Sequence, residues 1–234
     1  AAYCNPKGRM LASFIGFKRT GGDIVLVCSR DILAPTLKRL SMFVMRAKAR
    51  LTDATDQFAL FGLVGDAIYS VASHALPVWS KGDIEGSCWV NLHPADGVAR
   101  QLLVAPADAG EPTGPEISND LWKWSEVRSG VATLSAPVLE VFVPQMLNYE
   151  SVGGVSFKKG CYPGQEVVAR SQFRGTLKRR AFVAHADAAM VAGADVYASG
   201  DETQPGGTVV QAAVHPQSGF DAIVSLQLSA LNDQ

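Results

Sequence analysis

The sequence predicts an α+β fold divided into two or three small domains. Its 234 residues exceed the usual size of one compact domain. Hydrophobic residues make up 47% of the chain, which is enough to build folded cores. Short β-prone segments outnumber helical ones, and residues 106–115, rich in proline, glycine and acid, indicate a surface linker.

The N-terminal part predicts a β-hairpin followed by a helix. Residues 10–17 and 23–28 are β-prone, and residues 20–22 between them contain two glycines that suit a tight turn. Ser29 is the expected N-cap of a helix that runs through about Phe43. The helical spacing is set by Leu33, Leu37, Leu40 and Val44.

The middle of the chain predicts a small α+β unit. A weaker helix is expected at residues 66–73, among four β-prone segments at 47–52, 59–64, 88–92 and 99–105.

Beyond the linker, Asn119 or Asp120 is expected to cap a helix that Gly130 ends from the C′ position. The helix carries Trp122 and Trp124, which point to different faces because they are two positions apart. One indole can enter a core while the other stacks on a flat heteroaromatic ligand. The alternative for both is that they anchor packing.

From Lys178 onward the sequence changes to short alternating strands separated by Gly, Pro and Asp turns. This spacing predicts a small β-barrel or sandwich, with strands at 181–184, 196–198, 209–214 and 222–228.

Composition excludes several classes of protein. The formal net charge of −1 argues against nucleic-acid binding through the whole surface, which needs a concentrated positive field. No apolar run reaches about 18 residues, and the first ten residues lack the organisation of a secretory signal. The four cysteines form no C-x-x-C pair and the histidines are scattered, so we expect reduced thiols and no metal site.

Residues 153–166, GGVSFKKGCYPGQE, form the segment most suited to chemistry. Four glycines there imply backbone that bends tightly or lets another group approach. A Pro-Gly turn leads into a helix near Gln165, which places Cys161 just before a helix N-terminus. The partial positive charge there, with Lys158 and Lys159, favours the thiolate form of the cysteine. A small buried cysteine is the alternative.

Positive charge is concentrated between residues 157 and 180, where seven cations face Glu166 as the single acid, a local net charge of +6. Such a field can hold a polyanionic ligand tail, an acidic partner or RNA phosphates, and an ordinary solvated surface is the alternative. Few aromatic residues are interleaved, which disfavours sequence-specific RNA recognition. The cations are Lys158, Lys159, Arg170, Arg174, Lys178, Arg179 and Arg180.

Three stretches closely resemble the YgfZ-type folate-binding proteins. They are FVPQMLN at 142–148, GGVSFKKGCYPGQEVVAR at 153–170 and FRG at 173–175. This family is related to the aminomethyltransferase (T-protein) of the glycine cleavage system, and its K-G-C-Y-x-G-Q-E motif matches residues 159–166. NPKGR at residues 5–9 is similar to the family's early D-x-K-G-[RK] turn, with Asn5 in place of the usual aspartate.

The resemblance covers the whole chain and implies three domains in a clover-like arrangement around a channel that binds tetrahydrofolate or a one-carbon derivative. It divides the chain into a discontinuous folate-binding domain, 1–51 plus 120–175, an inserted domain, 52–119, and a C-terminal β-barrel domain, 176–234. It also implies an N-terminal segment, with a further folate-contacting tryptophan, that this sequence lacks.

The resemblance also implies the site residues. Trp122 and Gly130 fit the family's W-x7-G spacing for a folate-contacting tryptophan, and Trp124 does not. Cys161 is the expected functional thiol, and the basic segment is expected to attract the glutamate tail of folate. The predicted folate-binding residues are Trp122, Lys159, Tyr162, Gln165, Glu166, Lys7 and Arg9.

One departure separates this chain from the true aminomethyltransferases. Aligning the glycines of the early turn places Ala12 and Ser13 where those enzymes carry a pair of aspartates. Neither side chain can act as a carboxylate that stabilises a developing cation or handles a proton. Glycine-cleavage activity is therefore not expected, and whether the protein is an enzyme stays open.

The favoured function is a folate-binding accessory protein that supports iron–sulfur cluster assembly or repair and, through cluster enzymes, tRNA modification. Its expected partners are folate and an iron–sulfur or cluster-assembly protein. Its expected location is the cytoplasm of a bacterium, or the mitochondrial matrix of a eukaryote. The alternatives are a folate-dependent one-carbon transferase or demethylase, and an RNA-binding module that uses residues 157–180.

Overall fold

A computed structural model of the chain describes residues 1–70, 76–199 and 201–231. Within these residues the strands form four antiparallel sheets, and three α-helices accompany them, which confirms the α+β class. None of the described helices is both long and apolar enough to cross a membrane. The helices are α1 (Leu33–Ser41), α2 (Asn119–Arg128) and α3 (Gln165–Phe173).

The N-terminal strands are β1 (Ala2–Cys4), β2 (Met10–Ser13), β3 (Ile15–Lys18) and β4 (Ile24–Val27). The β3–β4 hairpin is confirmed, but the expectation of one strand over 10–17 is wrong. The strand is interrupted at Phe14, whose amide donates to the Ala1 carbonyl. The first part, β2, pairs with β1, and the second part, β3, pairs with β4. Residues 5–9 therefore form the turn between two paired strands.

The middle sheet runs in the order β5-β8-β7-β6. Three of its strands confirm predicted segments, but the strand expected at 47–52 is wrong, because those residues are irregular and almost all exposed. The helix expected at 66–73 is a 3₁₀ helix, Gly65–Ser70, and residues 71–73 lie outside the described residues. The strands are β5 (Phe58–Val64), β6 (Lys81–Ile84), β7 (Ser87–Ala95) and β8 (Val98–Pro106).

The helix ends show how local chemistry sets boundaries. The cap of α2 is Ser118 rather than Asn119 or Asp120, because its hydroxyl accepts the Leu121 amide at 3.1 Å. Gly130 follows the C-cap with φ +70°, which confirms its C′ role. The expectation that Ser29 caps α1 is wrong, because Ser29 precedes a 3₁₀ turn, makes no side-chain cap bond, and α1 starts only at Leu33.

The C-terminal strands form an open sheet in the order β10-β11-β12-β9, so the expected β-barrel is wrong for the described residues. Its two edge strands, β9 and β10, do not pair with each other. One face of the sheet packs in the main core against β2, α2 and Phe142. The apolar side chains of that face are therefore buried without the strands closing into a barrel. The strands are β9 (Arg179–Ala186), β10 (Asp195–Ala198), β11 (Asp201–Val214) and β12 (Phe220–Gln227).

A separate core joins the β3–β4 hairpin to the middle sheet. Phe17 packs there with Val90 and Leu102 of the sheet, and Trp122 of α2 packs against the same cluster. This contact leaves a cavity between the hairpin, the sheet and α2. The three-domain division and the clover arrangement stay predictions.

Candidate functional site

A cavity of about 1280 Å³ lies between the β3–β4 hairpin, the middle sheet and the start of α2. Residues 111–119 and residues 152–154 also line it, so much of the predicted surface linker forms part of its wall. The cavity is large enough for a cofactor-sized ligand. This makes it the first place to examine for binding chemistry.

Trp122 forms one wall of the cavity. Its indole lies directly against Gly62 of β5, where an added Cβ would fall 2.4 Å from a ring carbon. The Arg100 guanidinium carbon lies 4.4 Å from the ring centre, in a cation–π contact. Gly62 and Arg100 therefore cover part of the indole, and a ligand that stacks on Trp122 must use the part that they leave open.

Two opposite charges stand beside this indole. Burial lowers the pKa of Arg100, and the charge of Glu126 opposes that shift. Burial raises the pKa of Glu126, against the Arg100 charge and a hydrogen bond from the Trp122 side chain. Both groups line the cavity, so a ligand there meets a cation and a carboxyl group close to a flat apolar ring.

Trp79 is a second tryptophan at the cavity, and sequence reasoning did not find it. Its φ of +67° is left-handed, a strained conformation for a bulky residue. Its indole N–H donates to the Val152 carbonyl at 2.7 Å, and its ring meets His93 edge-on at 5.4 Å. Burial lowers the pKa of His93. The side chain is 38% exposed, so it remains open to a ligand.

The two positions aligned with the aminomethyltransferase acids lie in and behind the cavity wall. Ser13 lines the cavity, and its hydroxyl accepts the Leu134 amide at 2.9 Å. Ala12 is fully buried in the main core. At these two positions the cavity therefore meets only the Ser13 hydroxyl, which is already hydrogen-bonded.

The motif at 159–166 lies at a different place, packed on the turn of residues 5–9. An added Cβ at Gly164 would fall 2.3 Å from the Asn5 carbonyl oxygen, so the two backbones touch. An added Cβ at Gly8 would fall 2.9 Å from the Val167 Cβ of α3. None of the motif residues lines the cavity, whereas Gly153 and Gly154 of the same run do.

Contacts within the motif hold its shape. The Tyr162 amide donates to the Gln165 side-chain oxygen at 3.2 Å, and the Lys159 ammonium lies 3.8 Å from the Tyr162 ring centre. Burial raises the pKa of Tyr162, and Cys4 adds to this shift. Glu166 is exposed in the first turn of α3, where a carboxylate suits the helix dipole.

Asn5 organises the turn that receives the motif. Its side-chain oxygen accepts the Lys7 and Arg9 amides at 2.9 and 3.0 Å, and its side-chain nitrogen donates to Glu140 at 3.1 Å. An amide can accept and donate in this way, whereas an ionised aspartate has no donor and would be repelled by the Glu140 carboxylate. The Arg9 guanidinium donates to the Val141 carbonyl.

Cys161 is exposed, which removes the alternative of a buried structural cysteine. It lies four positions before α3, on the segment that the Gly164 contact holds in place. Cys4 and Cys88 are buried, and burial raises the pKa of Cys4 to about 11. Cys161 is thus the exposed thiol within the motif.

The basic segment separates into two groups. Arg180 forms an ion pair with Glu150 and donates to the Gln145 carbonyl at 3.3 Å, so it is used within the fold, and Arg179 is half-buried. The remaining cations are exposed and lie in the same segment as Phe157 and Phe173, which form an edge-to-face pair with ring centres 5.4 Å apart. Those exposed cations are Lys158, Lys159, Arg170, Arg174 and Lys178.

Trp124, on another face of α2, belongs to a polar cluster around the buried Asp221 and does not line the cavity. Its indole N–H donates to Asp221 at 2.8 Å, and His185 bonds the same carboxylate at 2.8 Å. Arg128 lies 3.5 Å from that carboxylate. The expectation that the two tryptophans point to different faces is confirmed.

Of the seven residues predicted to contact folate, Trp122 is therefore the one that lines the cavity in the described part of the chain. The other six lie at the motif and on the turn beneath it, and their contact with folate stays a prediction. They are Lys159, Tyr162, Gln165, Glu166, Lys7 and Arg9.

Comparison with known proteins gives consistent relatives, although no family model matches the chain. A tRNA-modifying protein YgfZ from Klebsiella pneumoniae strain 342 is 31% identical over 232 residues, covering 91% of this chain and 68% of the relative. The protein of the same name from Escherichia coli O127:H6 is 30% identical, covering 94% and 70%. That from Hamiltonella defensa is 29% identical over 189 residues and covers 76% and 56%.

Proposed function

The chain belongs to the family of tRNA-modifying proteins named YgfZ, and from this membership we propose that it is a tetrahydrofolate-binding accessory protein. In this proposal it supports assembly or repair of iron–sulfur clusters and, through cluster enzymes, tRNA modification. The observation that carries the folate assignment is Trp122 in the wall of a 1280 Å³ cavity. An indole in an apolar wall suits a flat heteroaromatic ring.

The thiol supplies the second part of the proposal. Cys161 is exposed on a segment that is fixed against the turn of residues 5–9. Thiolate sulfur is a preferred ligand of iron–sulfur clusters. We assign Cys161 to the contact with a cluster protein, while the cavity holds the folate.

Calorimetric titration of tetrahydrofolate under anaerobic conditions tests the folate assignment. Trp122→Leu should weaken binding about tenfold or more, because loss of one stacking contact costs about 1–3 kcal/mol. Trp124→Leu, at the Asp221 cluster, is the matched control and should bind like the wild type. Thermal unfolding checks that both variants fold. Wild-type affinity in Trp122→Leu would exclude the cavity wall as the folate site.

A second experiment addresses the thiol. Cys161→Ser and the matched Cys28→Ser variant replace the chromosomal copy, and the activity of a cluster-dependent tRNA-modifying enzyme is measured. Loss should follow Cys161→Ser alone. Equal activity of both variants would show that the thiol has no part in the function.

A second candidate function has one observation in its favour. Phe157 and Phe173 form an edge-to-face pair and are followed in the sequence by the exposed Lys158 and Arg174. Phe173 is 71% exposed, so the segment combines a stacking surface with positive charge. We propose that this segment binds single-stranded regions of tRNA. Affinity for tRNA should fall steeply with salt, because the cations contact phosphates. Phe173→Ala should lower the affinity and leave its salt dependence unchanged, because it removes stacking and no charge. Absent or salt-independent binding would exclude this function.

A further inference from the structure

Arg100 of β8 lines the cavity and carries two donors that lack a hydrogen-bond partner in the described part of the chain. Its side chain is buried, with the residue 4% exposed, and it lines the cavity. Its Nε and Nη2 atoms are buried and have no hydrogen-bond partner among the described residues. An unpaired buried guanidinium is costly, so a fold that keeps one needs a reason.

The fold itself does not supply the missing partner. Glu126 acts on Arg100 through its charge, but no ion pair within 4.0 Å joins the two in the described residues. The guanidinium is held over the Trp122 ring, and the β8 backbone is fixed by pairing with Val64 and Leu92 on either side. Its orientation is therefore set by packing and not by a carboxylate.

The two free donors have a defined geometry. Nε–H and the adjacent Nη2–H lie on one edge of the planar guanidinium and point in parallel. Such a fork matches two acceptor atoms in one plane, as in a carboxylate or along the acceptor edge of a heterocycle. A lysine ammonium, which is a point charge, does not offer this match.

We propose that Arg100 is a ligand-recognition residue of the cavity, and that its side-on fork binds a planar pair of acceptors on the ligand that stacks at Trp122. The identity of that ligand as a folate rests on the proposed function, but the recognition chemistry does not. Glu126 offsets the charge of Arg100, so the site suits a planar group with little net charge as well as a carboxylate.

The test compares Arg100→Met, which removes the donors, with Arg100→Lys, which keeps the charge and loses the fork. Arg128→Met, at the Asp221 cluster, is the matched control for loss of an arginine elsewhere. The ligands are tetrahydrofolate, tetrahydropterin, which lacks the carboxylates, and 4-aminobenzoylglutamate, which lacks the pterin ring. Binding is measured by calorimetry and by the shift in unfolding temperature.

Both Arg100 variants should lose affinity about tenfold or more, as expected for removal of a charged hydrogen bond, while Arg128→Met keeps wild-type affinity. A loss for tetrahydropterin identifies the ring edge as the acceptor pair, and a loss confined to 4-aminobenzoylglutamate identifies the carboxylate. If tetrahydrofolate does not bind but either fragment binds through Arg100, the proposed function fails and this inference stands.

The unliganded protein gives an independent readout. Because Arg100→Met combined with Glu126→Gln removes a buried charge that makes no ion pair within the described residues, together with the carboxyl group that offsets it, this double variant should unfold at the wild-type temperature or above. A marked fall in its unfolding temperature would identify Arg100 as a structural group and overturn the proposal. Unchanged affinity in Arg100→Lys and Arg100→Met, or no binding of any of the three ligands to the wild type, would overturn it too.

Discussion

Replacement of Gly164 by alanine tests the packing of the motif on the turn of residues 5–9. Gly164 has φ +81°, where an L side chain is strained. The new methyl would fall 2.3 Å from the Asn5 carbonyl oxygen and 2.9 Å from the Gly8 backbone. Both neighbours are main-chain atoms, so no side-chain rotation can relieve the contact.

The structure gives the expected size of the effect. The left-handed conformation costs about 1–2 kcal/mol for alanine. Overpacking against a fixed neighbour adds about 1–3 kcal/mol. A combined loss of about 3 kcal/mol in the free energy of unfolding lowers the unfolding temperature of a chain this long by about 6–12 °C, at about 2–4 °C per kcal/mol.

The matched control is Gly160→Ala, four residues earlier in the same motif. No atom lies within 4 Å of the position of its Cβ. Differential scanning calorimetry of the two variants and the wild type is the assay. Gly160→Ala should unfold within about 1–2 °C of the wild type, as expected for a surface change. Equal unfolding temperatures for both variants would refute the contact between the motif and the turn.

Two further predictions concern thiols and pH. Brief alkylation of the folded protein followed by mass spectrometry should label Cys161, while buried Cys4, whose pKa burial raises to about 11, stays unlabelled; labelling of Cys4 first would contradict the structure. Burial raises the pKa of Asp221, but hydrogen bonds from His185 and Trp124 and the charge of Arg128 outweigh it, so the net pKa is lowered. The stability that Asp221 provides is therefore present above its unfolded pKa, about 3.9, and is lost as pH falls through the lower folded value. Asp221→Asn should lose about 2–3 kcal/mol at pH 7 in urea unfolding and show a shallower acid limb below about pH 4; an unchanged acid limb would contradict it.

Local patterns predicted much of the fold. The strands β5, β7 and β8 follow from runs of β-prone residues, and the end of α2 follows from Gly130. The pairing of β1 with β2 was missed, because a strand of three residues carries no pattern and depends on the turn that joins it to its partner. Closure of the C-terminal strands was wrongly expected, since strand spacing does not say whether two edges meet.

The candidate site was predicted in part for a similar reason. The segment 153–166 around Cys161 stands out by composition. The sequence could not show that its two ends lie at different places, with Gly154 at the cavity and Gly164 on the turn of residues 5–9. Arg100 gave no signal, because a single arginine in a strand is ordinary until tertiary packing buries it. Trp79 was missed because its left-handed backbone is visible only in the structure.

Hydrogen–deuterium exchange with and without tetrahydrofolate tests the central claim most directly. If the ligand occupies the cavity beside Trp122, backbone amides should gain protection at residues 60–64, 111–119 and 131–133, which line it. Protection there that disappears in Trp122→Leu is the predicted result. Protection confined to residues 159–166 and 5–9, with the cavity unchanged, would contradict the account.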